Sequence, residues 1–269
     1  MRPARQAQEA YRSDCYDRLL IHPLDPLINK GGEMRHRLTF LFVLMTCFAW
    51  RMTAHAQNQR LRPEFRPIVD NAELPRVLLL GDSISIGYTL GVREQMRGHA
   101  NVHRAAENCG PTTRGLKQLD KWLGEKQWDV IHFNFGLHDL KYMNKDGNLT
   151  KTETGRVQVP PAEYERNLRA LIRRLKETGA QLIWCSTTPV PQGALGRVVG
   201  DAKKYNTIAI QVVQDELGED CAINDLYQFC LPRLPDIQRP ANVHFTPAGS
   251  NALATQVTKK IRKRLKKPD

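Results

Sequence analysis

The tripeptide Gly81-Asp82-Ser83, directly after the apolar run Val77–Leu80, constrains the fold more than any other feature of this chain. A short apolar run that ends in a turn signal is typical of a buried parallel strand. Ligands of open α/β sheets bind beyond the carboxyl ends of such strands, so Ser83 is predicted to lie at a binding edge. A serine placed there can act as a nucleophile if a base reaches it.

A candidate base, His244, lies far downstream in the segment VHFTPAG. In that segment Thr246 is the predicted N-cap of the last helix, and Pro247 is its first residue. A nucleophile followed late by its histidine also occurs in α/β-hydrolases, but their serine lies in G-x-S-x-G. The surroundings of Ser83, Gly-Asp-Ser-Ile-Ser, disfavour that fold. Ser83 and His244, in this chain order, nevertheless predict a serine hydrolase of another fold.

Residues 34–56 have the three parts of a signal peptide in order. Basic Met34–Arg37 precedes apolar Leu38–Trp50, and Ala54-His55-Ala56 is a small-x-small cleavage site. The apolar part is shorter than the roughly 20 residues that span a bilayer, which disfavours an uncleaved anchor helix. We therefore predict export to the periplasm, the cell envelope or the medium. Residues 1–33 are interpreted as an upstream extension outside the native product.

The rest of the chain is predicted to form one α/β domain. Residues 57–73 are polar and proline-containing and are interpreted as an extended lead-in, and residues 74–269 form the domain with a basic C-terminal helix. Apolar strands alternate with amphipathic helices, which predicts a doubly wound parallel sheet of about five strands in three α/β/α layers. The predicted strands are 76–80, 101–106, 129–135, 180–186 and 222–227, and the predicted helices are 85–97, 114–123, 161–178, 202–217 and one from 247.

Cys109, Cys185, Cys221 and Cys230 follow the predicted signal peptide. Export permits disulfides, and Cys221 and Cys230 are close enough in sequence to pair, although the sequence leaves the pairing open. Cys185 lies in an apolar strand and is predicted to be a buried thiol. Because the chain has no CxxC pair and no His/Cys cluster at zinc spacing, we predict no metal and no cofactor.

The formal net charge is +12, and much of the excess lies in residues 259–267. A basic tail can bind nucleic acid, anionic lipid or acidic glycan. Cations also suit the last turn of a helix, and this interpretation is favoured here. Export argues against a nucleic-acid partner, and membrane contact is expected only through the basic C-terminal helix.

Four motifs in order resemble those of the SGNH hydrolases, also called the GDSL esterase/lipase family. They are Gly81–Ser85, the block Asn-Cys-Gly-Pro-Thr-Thr at 108–113, Gly136–Asp139, and His244 in VHFTPAG. The resemblance covers about residues 74–268. It implies an SGNH or flavodoxin-like α/β fold and an ester hydrolase that needs no cofactor.

Carried over by this resemblance, Ser83 is the nucleophile and His244 is the general base. The backbone N–H groups of Ser83 and Gly110 form an oxyanion hole together with His138. His138 stands where the family usually has asparagine; an imidazole N–H can donate, but its tautomer and charge depend on pH. Asn134 is nearby but lies inside a predicted strand, so it is a poorer match.

A second departure concerns the group that orients His244. The family often has aspartate three residues before this histidine, and here that residue is Ala241. Asn242, one residue nearer, can accept from the ring, as can a backbone carbonyl. A neutral partner stabilises the imidazolium less than a carboxylate does, so the pattern predicts a dyad or a slow enzyme.

Other polar residues near these motifs are given structural roles. Asp82 is predicted to brace the turn after the first strand, and Asp139 to hold the third loop. His132 lies in the middle of a strand and is interpreted as a core histidine. Arg114 either meets an acidic substrate or is a solvated residue at a helix start.

The predicted function is an exported carboxylic-ester hydrolase that acts through an acyl-serine. The resemblance implies short-chain esters, O-acetylated polysaccharides, lysophospholipids or thioesters as substrates. Few aromatic residues and the lack of a long apolar lid favour removal of O-acetyl groups from carbohydrate, with a lysophospholipase or thioesterase as an alternative. The departures at Ala241 and His138 also motivate a non-catalytic module of the same fold that binds glycan or envelope.

Overall fold

The computed structural model describes residues 61–218 and 221–266. The predicted extension, the predicted signal peptide and the first residues of the lead-in lie outside these ranges. The lead-in was predicted to be extended. Within the described ranges it is not fully extended, because Pro63–Phe65 form a turn of 3-10 helix. Proline presets the backbone for such a turn, and the guanidinium of Arg93 donates to the carbonyl of Pro63 at 3.3 Å.

The domain is built on a parallel sheet of five strands, ordered β2-β1-β3-β6-β7. Both faces of the sheet are covered by helices, so the strands are almost continuously buried. This arrangement confirms the predicted three-layer α/β fold. The strands are β1 (Arg76–Leu80), β2 (Asn101–Arg104), β3 (Val130–Phe133), β6 (Gln181–Cys185) and β7 (Ala222–Asn224); β4 (Tyr142–Met143) and β5 (Arg156–Val157) form a separate antiparallel hairpin.

Helices pack on the two faces of this sheet in separate groups. The first and last long helices contact each other on one face, and the three between them pack side by side on the other. They are α1 (Ser83–Gln95) and α7 (Pro247–Leu265) on the first face, and α2 (Thr112–Leu123), α3 (Pro161–Lys176) and α4 (Asp201–Leu217) on the second; the short α5 (Leu226–Cys230) and α6 (Leu234–Ile237) precede α7.

The helix α3 shows why the sequence pattern predicted these elements well. Its apolar residues recur at helical spacing, and all of them are fully buried: Tyr164, Leu168, Leu171, Ile172 and Leu175. Helix starts were predicted less accurately. The helix α1 begins at Ser83, two residues before its predicted start, because the side chain of Asp82 caps it.

The cysteines within the described residues are thiols. Cys109, Cys185 and Cys230 are buried and free, so Cys185 is as predicted, while a disulfide between Cys221 and Cys230 is not formed. The thiol of Cys109 instead accepts a hydrogen bond from the backbone N–H of Gly81 at 3.2 Å. This contact ties the loop after β2 to the loop after β1. No helix in the described ranges is long and apolar enough to cross a membrane.

Candidate active site

Ser83 lies at the carboxyl end of β1, where the chain enters α1. It is the first residue of that helix, so its backbone N–H has no intrahelical acceptor and lies at the positive end of the helix dipole. The carboxylate of Asp82 accepts from the N–H of Ile84 at 2.9 Å and caps the helix. A Cβ at Gly81 would lie 2.9 Å from the side chain of Ser85, so this turn needs glycine.

His244 lies on the loop between α6 and α7, and the rest of its motif holds that loop in place. The N–H of Thr246 donates to the carbonyl of Ile237 at 2.9 Å, and the Thr246 hydroxyl accepts from the N–H of Gly249 at 3.0 Å. A Cβ at Gly249 would overlap the carbonyl oxygen of Ile237. Thr246 and Gly249 therefore fix the loop that carries His244.

The two predicted catalytic side chains meet. The Nε2 atom of His244 lies 2.9 Å from the Oγ atom of Ser83, and its Nδ1 atom lies 2.8 Å from Oδ1 of Asn242. The same Oδ1 atom accepts from the backbone N–H of His244 at 2.9 Å. A backbone N–H only donates, so the atom facing it must be the amide oxygen. The ring proton is therefore on Nδ1, and Nε2 is left to accept from the serine hydroxyl.

The environment of His244 favours its neutral form. Partial burial lowers the pKa of His244 below its usual value, and the nearby guanidinium groups of Arg197 and Arg239 lower it further, while Asp82 opposes them. A neutral imidazole is the form that can take a proton from a hydroxyl. The base is thus available at neutral pH and somewhat below it.

Gly110 is placed near this pair by the loop after β2, with a left-handed φ of 64°. Its backbone N–H donates to the side-chain oxygen of Asn108 at 2.9 Å, which differs from the expected open oxyanion donor. Asparagine two residues before an N–H commonly forms this turn. An N–H can be shared between two acceptors, so Gly110 can still contribute to an oxyanion hole, although more weakly than an open donor.

His138 follows β3, and its position also determines its tautomer. The ammonium group of Lys141 lies 3.3 Å from Nδ1 of His138. An ammonium only donates, so Nδ1 accepts and the neutral ring carries its proton on Nε2. Burial, with a smaller effect from nearby cations, lowers the pKa of His138 to about 4. His138 is therefore a neutral N–H donor over the physiological pH range.

The remaining candidates contact the backbone that carries the site. The carboxyl of Asp139 is buried and accepts from both the N–H (2.8 Å) and the hydroxyl (2.5 Å) of Thr112, which joins the loop after β3 to the start of α2. Burial raises the pKa of Asp139 to about 7. The amide of Asn134 donates to the carbonyl of Cys185 at 2.7 Å, so this side chain joins β3 to β6.

Ala241, at the position where aspartate is usual in the family, has a left-handed backbone conformation with a φ of 49°. It is the non-glycine residue with positive φ in the described ranges. Such a conformation costs about 1–3 kcal/mol and is found mainly where the surrounding structure imposes it. The strain lies directly beside Asn242, the residue that orients His244. No sequence signal predicted it.

Ser83 and His244 open into a cavity of about 330 Å³, which is also lined by Ile84, Phe245, Arg62 and Arg239. A larger cavity of about 670 Å³ lies between the ends of α1 and α7, and neither Ser83 nor His244 lines it. The described residues contain no group of three or more His, Cys, Asp or Glu side chains able to hold a metal ion. The groups present at the Ser83–His244 pair are a hydroxyl, an imidazole and backbone N–H donors.

The site therefore consists of a hydroxyl in contact with an imidazole, at the carboxyl edge of the parallel sheet of a three-layer α/β fold. The chain belongs to the GDSL-like Lipase/Acylhydrolase family, whose model matches residues 79–252. This match confirms the resemblance drawn from the motifs. It also supports an ester hydrolase. No curated protein sequence matches the chain significantly.

Solved structures of the same fold agree with this assignment. A lipase/acylhydrolase from Enterococcus faecalis superposes with a TM-score of 0.58 and 21% identity, over 72% of this chain and 99% of that one. An acetylxylan esterase from Geobacillus stearothermophilus gives 0.54 and 14%, over 70% and 94%. A psychrotrophic esterase from Pseudoalteromonas, inhibited by monoethylphosphonate, gives 0.52 and 16%, over 71% and 98%. At these identities the similarity establishes the fold.

Proposed function

We propose that this protein is a serine esterase that acts through an acyl-serine intermediate on Ser83. The observation that carries the proposal is the chain of contacts Ser83–His244–Asn242, with distances of 2.9 and 2.8 Å and a tautomer that leaves Nε2 facing the hydroxyl. Both distances are within the range of a functional nucleophile and base.

The reaction follows from this geometry in two steps. The Oγ atom of Ser83 bonds to the acyl carbon while Nε2 of His244 takes the hydroxyl proton, and the alcohol leaves with that proton. A water molecule then attacks the acyl-serine and gives its proton to Nε2. The carboxylic acid is released, and the proton returns to Ser83.

The negative charge that develops on the acyl oxygen must be stabilised by hydrogen-bond donors. The backbone N–H of Ser83 at the start of α1, the Nε2–H of neutral His138 and the shared N–H of Gly110 are the candidates in this structure. Each well-placed donor contributes about 3–4 kcal/mol to the transition state. The neutral Asn242 orients the ring but stabilises the imidazolium less than a carboxylate would, which predicts modest turnover.

The substrate class we favour is an O-acetyl ester of a carbohydrate, hydrolysed after export. The signal-peptide pattern of residues 34–56 supports export. The small cavity beside Ser83 has two arginines in its lining, which suits a short acyl group better than a long apolar chain. Two solved structures of this fold are described as acetyl xylan esterases, which is consistent with this choice.

A non-catalytic binding module is the second candidate. The engaged N–H of Gly110 and the neutral partner of His244 favour it, because both weaken the machinery that an esterase needs. This candidate predicts a protein that binds acetylated glycan and does not turn it over.

One experiment separates the two candidates. The purified protein, from Gln57 onward, is treated with a fluorophosphonate probe and assayed on p-nitrophenyl esters from acetate to palmitate, beside Ser83→Ala. We expect labelling and acetate hydrolysis by the wild type, and at least a thousandfold loss with no labelling for Ser83→Ala at unchanged thermal stability. A wild type that is neither labelled nor active contradicts the esterase. A marked preference for palmitate contradicts the short acyl group.

A further inference from the structure

Three positive side chains lie near His138 or His244, the two histidines of the candidate site, and have uncharged hydrogen-bond acceptors. Lys141 contacts the Nδ1 atom of His138 at 3.3 Å. Arg197 donates to the carbonyl of Leu195 at 3.3 Å, and Arg239 donates to the carbonyl of Phe245 at 3.2 Å. Among the residues described, none of the three cations forms an ion pair, so positive charge accumulates beside the site.

Some arginines elsewhere in the described structure are neutralised by acids, while others, such as Arg104 and Arg262, donate to uncharged acceptors and form no ion pair within the described residues. Arg114, at the start of α2, pairs with Glu107, so it is not available for the acidic substrate that the sequence allowed. Other arginines that pair with acids lie on β1 and on α3: Arg76 with Asp70, Arg169 with Glu216, and Arg174 with Asp120. Arg197 and Arg239 differ from the other arginines without ion pairs in their place, because both act electrostatically on His244.

The carboxylates near the cluster do not balance it. Asp82 is the acid that acts electrostatically on Arg197, His138 and His244, but its buried carboxylate already caps α1. Burial raises the pKa of Asp139 to about 7, so this group is only partly ionised at neutral pH. Three cations thus face one carboxylate that is already engaged in capping a helix and a second that is only partly ionised.

Arg197 has an unsatisfied donor as well as an unpaired charge. Its Nε atom is buried and has no hydrogen-bond partner. A buried donor without an acceptor costs about 1–3 kcal/mol, so an acceptor brought by a ligand would be bound favourably. Arg197 lines a groove of about 630 Å³ together with Lys151 and Val199.

That groove lies against the loop that carries His244. Gly193, in the groove wall, lies close to Ala241, since a Cβ added at Gly193 would be 3.2 Å from the Cβ of Ala241. Arg239 lines the cavity that holds Ser83 and His244. Arg197 thus lines the groove and Arg239 lines the cavity, and both act electrostatically on His244.

We propose that the ester is carried by an acidic sugar, and that Arg197 and Arg239 bind the sugar carboxylate while Ser83 attacks the neighbouring O-acetyl group. This inference builds on the proposed esterase function. A guanidinium fork matches a carboxylate in two parallel hydrogen bonds, and an open groove beside a small cavity suits a chain of sugars with a short acyl branch. The products are acetate and the free sugar alcohol, and the carboxylate is unchanged.

The test is a matched pair of esters that differ only at C6. The methyl glycoside of 4-O-acetyl-glucuronic acid (the glucuronide) carries the carboxylate, and the methyl glycoside of 4-O-acetyl-glucose (the glucoside) carries a neutral hydroxymethyl group there. For the wild type at about 0.01 M salt, we expect kcat/KM to be about tenfold to a hundredfold higher for the glucuronide, which corresponds to one charge-assisted contact. At about 1 M salt the preference should fall severalfold, because screening weakens exposed charge pairs.

Variants assign the preference to residues. Arg197→Gln and Arg239→Gln should each reduce the glucuronide-to-glucoside ratio severalfold, and Arg197→Lys should restore it only in part, since lysine lacks the fork. Lys263→Gln is the matched control, because it removes one positive charge about 24 Å along α7 from Pro247 and should leave the ratio unchanged. If Arg197→Gln fails to fold, the exposed Arg239 variant and the wild-type ratio still decide.

The outcomes distinguish this inference from the proposed function. Equal kcat/KM for both esters at low salt overturns the acidic sugar and leaves the esterase standing. No hydrolysis of either ester, together with no fluorophosphonate labelling, overturns the esterase itself. Faster hydrolysis of lysophosphatidylglycerol than of the glucuronide also overturns the inference, because it assigns the cations to a lipid phosphate.

Discussion

His132 and His244 each pair with an asparagine, but one pair lies inside the sheet and the other at its edge. The Nε2 atom of His132 lies 3.0 Å from the amide nitrogen of Asn224, in the buried core. An amide N–H donates, so the ring nitrogen accepts and its proton is on Nδ1. His244 carries its proton on Nδ1 as well, held there by the oxygen of Asn242.

The two imidazoles therefore have the same tautomer, and the difference lies in the group at Nε2. In the core it is an amide that cannot give up its proton under ordinary conditions. At the edge it is the hydroxyl of Ser83, which loses its proton when it attacks a carbonyl carbon. Burial lowers the pKa of His132 to about 4, whereas His244 keeps access to solvent. A histidine paired with an asparagine is therefore not by itself catalytic. What matters is the group that faces Nε2 and whether the ring is accessible to solvent.

The largest expected effect on activity is at the pair His244–Asn242 at the edge of the sheet (the edge pair), in contrast to the pair His132–Asn224 inside the sheet (the core pair). His244→Ala should lower kcat by roughly a thousandfold or more, since the hydroxyl then has no base, and should change the free energy of unfolding by less than about 1 kcal/mol. Steady-state kinetics on p-nitrophenyl acetate and urea unfolding measure the two effects. A loss in kcat under tenfold would break the contrast, because His132 and His244 would then both be structural.

A smaller loss of kcat is expected for a third histidine, His138, which is a candidate hydrogen-bond donor to the oxyanion. His138→Ala should lower kcat by about a hundredfold to a thousandfold, with little change in KM, because a donor to the oxyanion is removed. His138→Asn supplies an amide donor and should recover most of that loss. If asparagine is no better than alanine, His138 acts on the fold of its loop and not on the oxyanion.

The core pair should show the opposite behaviour. His132→Gln should lower the free energy of unfolding by about 2–4 kcal/mol, because a buried ring and its amide contact are lost, while kcat per folded molecule stays the same. Chemical denaturation combined with active-site titration separates the two quantities. A fall in kcat at full occupancy of the folded state would contradict the structural role.

The pH dependence of stability tests the same residue. The pKa of His132 is about 4 in the folded protein and near 6.5 when unfolded, so the unfolded state binds the proton first. Its contribution to stability is present above about pH 6.5 and is lost as the pH falls toward 4. Asp139 acts in the opposite direction over an overlapping range. The difference between wild type and His132→Gln isolates the histidine, and it should shrink on acidification.

The fold was predictable where burial determines the pattern. The strands β1, β3 and β6 were found because each is a short, mostly apolar run, and α3 because its apolar spacing is helical. The hairpin β4–β5 was missed, since each of its strands has two residues and neither is fully buried. The predicted third strand, 129–135, was too long, because beyond Phe133 the chain turns away from the ladder to reach the site.

The candidate site was predictable in its motifs and not in its surroundings. The sheet edge predicted the place of Ser83, whereas the meeting of His244 with Ser83 was implied by the resemblance in motifs and could not be proved from the sequence alone. The bond between Asn108 and Gly110 had a signal, since asparagine two residues before glycine favours a local turn, but the signal was not used. Arg197 and Lys141 had none, because their closeness to His138 depends on how separate loops fold over the sheet.

The smallest effects on activity are expected at Asn242. A substitution there can also give His244 the carboxylate partner that a Ser-His-Asp triad has. Asn242→Ala should lower kcat by about tenfold to a hundredfold, far less than His244→Ala, because the ring loses its orienting contact but keeps its nitrogen. Equal losses would mean that orientation by Asn242 is as essential as the base itself. Thermal melting of the alanine variant checks that its loop is retained.

Asn242→Asp keeps the oxygen that faces the ring and adds a negative charge. A carboxylate beside the ring favours the imidazolium, so the pKa of His244 should rise from its present lowered value. Because the base must be neutral to act, the acid limb of the kcat/KM profile should then move to higher pH, while the alkaline plateau rises severalfold through a better-stabilised imidazolium. An unmoved limb would show that the charge at position 242 does not reach the ring. The base would then owe its pKa to burial and to the two arginines beside it.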